Sequence, residues 1–165
     1  MALDTFIAGA HTATWNAVAL GVTQKGYEIQ VTTKAELINE TDVYGLSTID
    51  WVYRGLNCFA AWISRAWKAG PKAALWPYGG GALGVIASAA APIGRLASDI
   101  AQALVFTSTA ATPAVSDPAT LTASKALLVP DFDVKWVFDS RLRDIPMRMQ
   151  LLPYSSTNII TFSVT

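Results

Sequence analysis

The sequence predicts a mainly β protein: an antiparallel β-sandwich or barrel with one short helix and an irregular apolar insertion. Two long segments alternate apolar and polar residues, and this period of two indicates strands with one buried face. Several shorter alternating segments near the C-terminus are separated by polar turns, which is typical of a meander of hairpins. Many strands with so little helix favour a sandwich or a barrel.

The first long segment, Thr41–Trp67, is predicted to be a turn followed by one long strand. Gly45 and its polar neighbours have the short side chains and the free φ angle that a turn requires. Residues Ile49–Arg54 alternate in polarity, and Gly55 then predicts a bulge. Cys58–Ile63 has no polar side, so we expect both faces of this half to be covered.

The second long segment, Gly26–Glu40, shows the clearest alternation in the chain. One side is expected to be buried and the other solvated, as in an antiparallel sheet with one solvent-facing surface. The side that we expect to be buried consists of Tyr27, Ile29, Val31, Thr33, Ala35 and Leu37.

Further elements are predicted along the rest of the chain. One strand is expected within Met1–Gly21. Residues Ser98–Leu104 have a polar start suited to a short helix, although Ala103–Ser108 also has the pattern of a strand. Residues 109–122 are rich in Thr, Ala, Pro and Ser and predict a loop. The last predicted strands cover residues 121–129, 131–139, 145–153 and 158–164.

The chain length predicts a single domain, residues 1–165, which contains an irregular lobe rich in Gly, Ala and Trp at residues 67–98. Gly79–Gly94 is the most apolar run, but it is shorter than the roughly 20 residues of a membrane-spanning helix and contains Pro92. The glycines at 79–81 are not followed by the Lys-Ser or Lys-Thr of a phosphate-binding loop. We therefore expect the lobe to pack on protein.

The composition predicts an apolar surface that is larger than one core can bury. Hydrophobic residues make up 52% of the chain and charged residues only 15%, whereas an average domain has about 25% charged residues. Exposed apolar surface usually marks an interface, so we expect a homo-oligomer. The 12 basic and 12 acidic residues give a net charge of zero, which argues against a nucleic-acid binder that neutralises phosphates.

Candidate catalytic and metal-binding residues are few. Cys58 and His11 are the only residues of their types, which excludes an internal disulfide and a multi-histidine metal site. We expect Cys58 to be a small buried apolar residue. Asp131 and Asp133 are spaced to share a strand face, as an acid–base pair would be, but a solvated face partnered by Lys135 accounts for them more simply. We predict no catalytic, metal or cofactor site.

A distinctive turn and strand occur in the middle of the first long segment. The turn is Thr41–Asp50, TDVYGLSTID, and the strand begins with Tyr53–Cys58, YRGLNC. This combination resembles the tail tube proteins, or major tail proteins, of long-tailed bacteriophages.

The last third of the chain extends this resemblance. An acidic and aromatic strand is followed by the turn Asp139–Pro146, then by Leu151–Tyr154 and a final strand at Ile159–Phe162. The order and spacing resemble the family over about Glu28–Ile63 and Leu121–Phe162, whereas the lobe has no counterpart.

The resemblance implies an antiparallel β-sandwich with a small helical element. It also implies that six copies of the chain close into a ring. Stacked rings form the tube through which DNA leaves the capsid, without specific binding. The implied partners are copies of the same chain and other tail proteins: the tape measure, the tail terminator, the baseplate or tip, and a sheath if the tail is contractile. The implied location is the tail of the virion, after assembly in the host cytoplasm, with no role for a membrane or a cofactor.

The lobe is the expected site of ring or stacking contacts, because it is apolar and lies outside the regions of resemblance. The residues expected to make these contacts are Trp67, Trp76, Tyr78, Leu83, Val85 and Ile86.

Two other classes of protein remain open at the level of the sequence. A small-molecule or carbohydrate-binding β-barrel would use its tryptophans as stacking platforms. A membrane-active protein would use Gly79–Gly94. The six tryptophans are Trp15, Trp51, Trp62, Trp67, Trp76 and Trp136.

Deletion of Gly79–Pro92 tests the role expected for the lobe. We expect the shortened chain to remain a folded β domain that no longer forms tubes, because its contact surface is gone. Circular dichroism measures the fold and negative-stain electron microscopy measures assembly. Normal tubes, or an unfolded chain, would contradict the assignment.

Overall fold

The computed structural model describes residues 10–39, 48–75, 94, 96–109, 120–130, 133, 144–154 and 158–163. Within these residues the chain is mainly β, as predicted, and has eight strands and two short helices. The strands are β1 His11–Trp15, β2 Val18–Ala19, β3 Thr23–Asn39, β4 Thr48–Ser64, β5 Gln102–Ser108, β6 Thr120–Leu128, β7 Ile145–Leu152 and β8 Thr161–Ser163. The helices are α1 Ala69–Leu75 and α2 Ala97–Ile100.

All the strands belong to one antiparallel sheet. Seven of them follow the order β2-β1-β5-β6-β7-β4-β3. Residues Thr120–Thr122 of β6 pair with β8, and Lys125–Leu128 pair with β7. Since β5 occupies the other edge of β6, β7 and β8 share one edge of that strand in succession.

The sheet bends back on itself. Three strands separate β3 from β5, yet the rings of Tyr27 in β3 and Phe106 in β5 meet edge to face, with centroids 5.2 Å apart. Trp15 of β1 donates its indole N–H to the backbone carbonyl of Ala126 in β6, at 3.0 Å. The two halves of the sheet therefore enclose a core as a sandwich does, while the described strands leave the sheet open at β2 and β3.

The core lies between these halves and is built from alternate residues of the strands. In β7, Ile145, Met147, Met149 and Leu151 are buried and the residues between them are more exposed. The other members of the core are Ala13, Trp15, Leu20, Cys58, Ala60, Trp62, Ala74, Leu75, Leu104, Phe106, Ala123, Ala126 and Leu128.

Helix α1 packs against the hairpin of β1 and β2. Asn16 and Ala17 connect these strands with φ angles of 51° and 61°, as in the type I′ turns of two-residue hairpins. A Cβ atom built on Gly70 of α1 would lie 2.1 Å from the carbonyl oxygen of Ala19. Glycine is therefore required at this contact, because any side chain would push the helix away from the hairpin.

The two long predicted strands are confirmed, with small shifts at their ends. The segment Gly26–Glu40 corresponds to β3, and β4 lies within Thr41–Trp67. The bulge predicted at Gly55 is also present, because its φ is 114° and the pairing of β3 with β4 shifts register there. Cys58 is buried, as expected.

Three local predictions are wrong. The single strand expected within Met1–Gly21 is two strands, because Asn16 and Ala17 form a tight turn without glycine. The connection after β4 was expected to be irregular, but it contains α1, whose Pro71 lies in the first turn, where an N–H is not needed. The helix expected to reach Leu104 ends at Ile100, and the alternative prediction of a strand is confirmed by β5.

The loop expected over residues 109–122 overlaps the start of β6 at Thr120–Thr122. The strands expected over 121–129, 145–153 and 158–164 correspond to β6, β7 and β8. The strand expected over 131–139 and most of the lobe at 67–98 lie outside the described residues.

Substitution of Gly70 tests the contact between α1 and the first hairpin. We expect Gly70→Ala to lower the free energy of unfolding by about 1–3 kcal/mol, because the methyl group cannot fit without a backbone shift. Urea unfolding followed by tryptophan fluorescence measures the change. The neighbouring exposed residue provides the control, and Ala69→Ser should change stability by less than about 0.5 kcal/mol. Equal effects of the two substitutions would contradict this packing.

Candidate functional site

The outer half of the β3–β4 hairpin extends beyond the other described strands of the sheet. Strand β7 pairs with β4 only from Cys58 to Ser64. From Thr48 to Asn57, the only described strand that pairs with β4 is β3. We call residues Val31–Asn39 and Thr48–Asn57 the arm. It is roughly 30 Å long, at about 3.3 Å per residue.

The pairing register gives the arm two faces of different composition. Leu37 lies opposite Trp51, Ala35 opposite Tyr53, and Thr33 opposite Leu56. Residues paired in this way point to the same side of a sheet. We call this side the apolar face; it consists of Val31, Thr33, Ala35, Leu37, Trp51, Tyr53 and Leu56. The other side, the polar face, consists of Thr32, Lys34, Glu36, Ile38, Asp50, Val52, Gly55 and Asn57.

The apolar face continues the surface that lines the core. Along β4 the same side presents Trp62, Ala60 and Cys58 to the core, and then Leu56, Tyr53 and Trp51 in the arm. The exposed fraction of the residue rises from 5% at Trp62 to 58% at Trp51. This face of β3 was expected to be buried, and that prediction is wrong from Val31 outward, because no described strand covers it. Val31 and Leu37 are 58% and 60% exposed.

The bulge at Arg54 and Gly55 determines which residues form the apolar face. On the core side of the bulge Thr33 pairs with Leu56, and beyond it Ala35 pairs with Tyr53, so that Arg54 is an extra residue. In an unbroken register Arg54 would lie opposite Ala35, and Tyr53 would turn to the polar face. The φ of 114° at Gly55 is accessible only to glycine without strain.

The polar face carries an ion pair across the two strands. The guanidinium group of Arg54 donates from Nε to the carboxylate of Glu36 at 2.6 Å, and a second nitrogen of the same group contacts the same oxygen. Both side chains are exposed, and such surface pairs contribute about 0–1 kcal/mol to stability. The pair therefore joins the two strands on the polar face, at the extra residue of the bulge, and adds little to the stability of the fold.

Of the six residues expected to make ring or stacking contacts, only Trp67 is among the described residues. It lies between β4 and α1, is 47% exposed, and has the ammonium group of Lys72 at 5.1 Å from its ring centroid. The other five, Trp76, Tyr78, Leu83, Val85 and Ile86, lie outside the described residues.

The described tryptophans are divided between the core and the surface. Trp15 and Trp62 are 5% exposed and belong to the core. Trp51 and Trp67 are exposed, but they lie towards opposite ends of the β3–β4 hairpin. They therefore do not form one stacking surface with each other.

The titratable residues considered in the sequence are not assembled into a site. Burial raises the pKa of the Cys58 thiol, which keeps it in the protonated and less reactive form. His11 lies in β1, opposite Ser108 of β5. No group of three or more potential metal ligands is found among the described residues. In the same part of the chain, no helix has the length and apolar character needed to cross a membrane.

Comparison of the chain with models of protein families and with curated proteins gives no match.

A pair of tryptophans on the same side of β4 tests whether the arm supports the fold. We expect Trp62→Ala to lower the free energy of unfolding by about 3–5 kcal/mol, because it leaves a cavity in the core. Trp51→Ala should change it by less than about 1 kcal/mol, since the exposed side chain fills no cavity. Thermal and urea unfolding measure both values. A large loss with Trp51→Ala would show that the arm is packed against the domain.

Proposed function

We propose that this chain is a structural subunit that assembles with copies of itself into the tail tube of a long-tailed phage. The observation that carries the proposal is the apolar face of the arm. An exposed surface with two aromatic and three large aliphatic side chains on one side of a sheet is typical of an interface. Copies that cover one another's arms would bury this surface.

The residues that carry the resemblance support the same conclusion. The described part of the two motifs, Thr48–Asp50 and Tyr53–Cys58, lies in the arm or at its base. The arm therefore overlaps the first of the two segments that resemble the family.

The open sheet edges and the net charge are compatible with ring formation. Strand β3 is 17 residues long and pairs only with β4 among the described strands, so no described strand covers its other edge. Such an edge is a hazard for a monomer, and pairing between copies removes it. The net charge of zero gives little repulsion between copies. In the proposed assembly six copies join their sheets around a lumen, and the rings stack.

The proposed partners follow from this assembly. The chain contacts other copies of itself and, at the ends of the tube, the tape measure, the tail terminator and the baseplate or tip, with a sheath around it if the tail is contractile. DNA passes through the lumen without specific binding. The proposed location is the virion, after assembly in the host cytoplasm, and the proposed role is structural, without enzymatic activity.

Substitutions on the two faces of the arm test the proposal. We expect the wild-type chain to form hollow rings or tubes, and the double variant Trp51→Ala/Tyr53→Ala to lose them, because it removes the aromatic part of the apolar face. Negative-stain electron microscopy and light scattering on the same sample measure assembly. Val52→Ala, on the polar face, is the matched control and should assemble as the wild type does.

Two outcomes would count against the proposal. A double variant that forms normal tubes would exclude the arm as the assembly surface. A wild-type chain that remains monomeric at high concentration and binds sugars on a glycan array would favour the carbohydrate-binding alternative.

A further inference from the structure

Strand β3 has one edge that no described strand covers, and this edge is long and regular. Among the described strands, β3 pairs only with β4, and it lies at the end of the strand order. From Tyr27 to Lys34 its pairing with β4 continues without a register shift, so this part of β3 is regular extended backbone. Residues Val31–Ile38 are all exposed. The edge therefore has the geometry that a further strand needs.

Two opposite charges lie symmetrically about the middle of β3. Glu28 is three residues before Val31, and Lys34 is three residues after it. Because an even number of positions separates Glu28 from Lys34 in the regular part of the strand, both point to the same side of the sheet. Both are exposed, and neither forms a salt bridge with a described residue. A strand with this arrangement is complementary to a second copy of itself that runs antiparallel.

We propose that β3 pairs antiparallel with β3 of a second copy, around a two-fold axis at Val31. Glu28 of each copy then lies opposite Lys34 of the other copy, which gives two ion pairs. On the other side of the sheet Val31 meets Val31, and Ile29 meets Thr33. Pairs of β-branched residues pack favourably across a sheet. The two sheets become one, with about one new backbone hydrogen bond for each residue pair.

The charges distinguish this register from its neighbours. If the axis moved by one residue towards Asn39, Glu28 would lie opposite Glu36, and like charges directly opposite each other are destabilising. If it moved by one residue the other way, Lys34 would lie opposite Gly26 and no charges would be paired. Of these three registers, only the one centred on Val31 matches acid with base.

The dimer goes beyond the proposed function, because it describes the chain before assembly. A contact that uses the same surface on both copies closes the pair and does not extend. An uncovered sheet edge invites uncontrolled pairing with other chains, and the dimer covers it. The proposed tube joins its subunits through the same edge, so the dimer opens before a subunit enters a ring.

Charge reversal tests the two ion pairs. Glu28→Lys and Lys34→Glu each place like charges opposite one another, so each should raise the dissociation constant of the dimer by about tenfold or more. An equimolar mixture of the two variants should recover the dimer, because every charge then lies opposite its counterpart. Sedimentation velocity measures the masses, and circular dichroism with thermal melting checks that both variants are folded. Asp50→Lys, on β4, changes the net charge as Glu28→Lys does and should leave the dimer unchanged.

A cross-link tests the position of the two-fold axis. Residues directly opposite each other in antiparallel strands have Cα atoms about 4.5–5.5 Å apart, which a disulfide can span. Val31→Cys should therefore give a covalent dimer on a non-reducing gel. Leu37→Cys is the matched control, since Leu37 is 60% exposed and Val31 58%. The two copies of Leu37 would lie roughly 40 Å apart, at about 3.3 Å per residue, and should not cross-link.

The outcomes separate this inference from the proposed function. A monomeric wild type, a dimer that survives Glu28→Lys, or equal cross-linking of the two cysteine variants would overturn the inference. A mixture of the charge variants that stays monomeric would also do so. If the wild type forms rings without passing through a dimer, the inference is wrong and the proposed function stands. If the dimer forms as described but no rings or tubes appear at any concentration, the inference stands and the proposed function fails.

Discussion

The limited pairing between β4 and β7 is the constraint on which the rest of the structure depends. Strand β7 covers β4 only over Cys58–Ser64, although β4 and β3 each run for 17 residues. Inside that limit the sheet bends over itself and buries Trp62. Outside it the same side of the same strand exposes Trp51. The hydrophobic effect is non-directional. The same alternating pattern of residues therefore contributes to the core in one half of the strand and to an exposed surface in the other half.

The bulge at Arg54 and Gly55 determines the chemistry of that open surface. One extra residue in β4 shifts every side chain of the strand that lies beyond the bulge from the core to the opposite face. It thereby places Trp51 and Tyr53 beside Leu37 and Ala35, and turns Arg54 towards Glu36. The bulge interrupts the regular pairing at one position and gives the arm one apolar face and one polar face.

The two ends of the hairpin differ in composition as well as in position. The arm brings two aromatic rings together on one face, and a second exposed surface, around α1, has Lys72 over the ring of Trp67. The close contact between Gly70 and Ala19 fixes the second surface, because it holds α1 against the first hairpin.

The sequence by itself determined the fold class, the long strands, the bulge at Gly55 and the burial of Cys58. These features depend on local alternation and on the backbone freedom of glycine, which neighbouring residues reveal. The sequence also indicated a surplus of apolar surface, which was expected to lie in the lobe. Of the six contact residues expected there, only Trp67 is among the described residues. Only the tertiary structure located the arm and brought Tyr27 against Phe106. Whether an alternating strand is covered depends on where distant strands begin and end, and the end of β7 lies about 90 residues along the chain from Cys58.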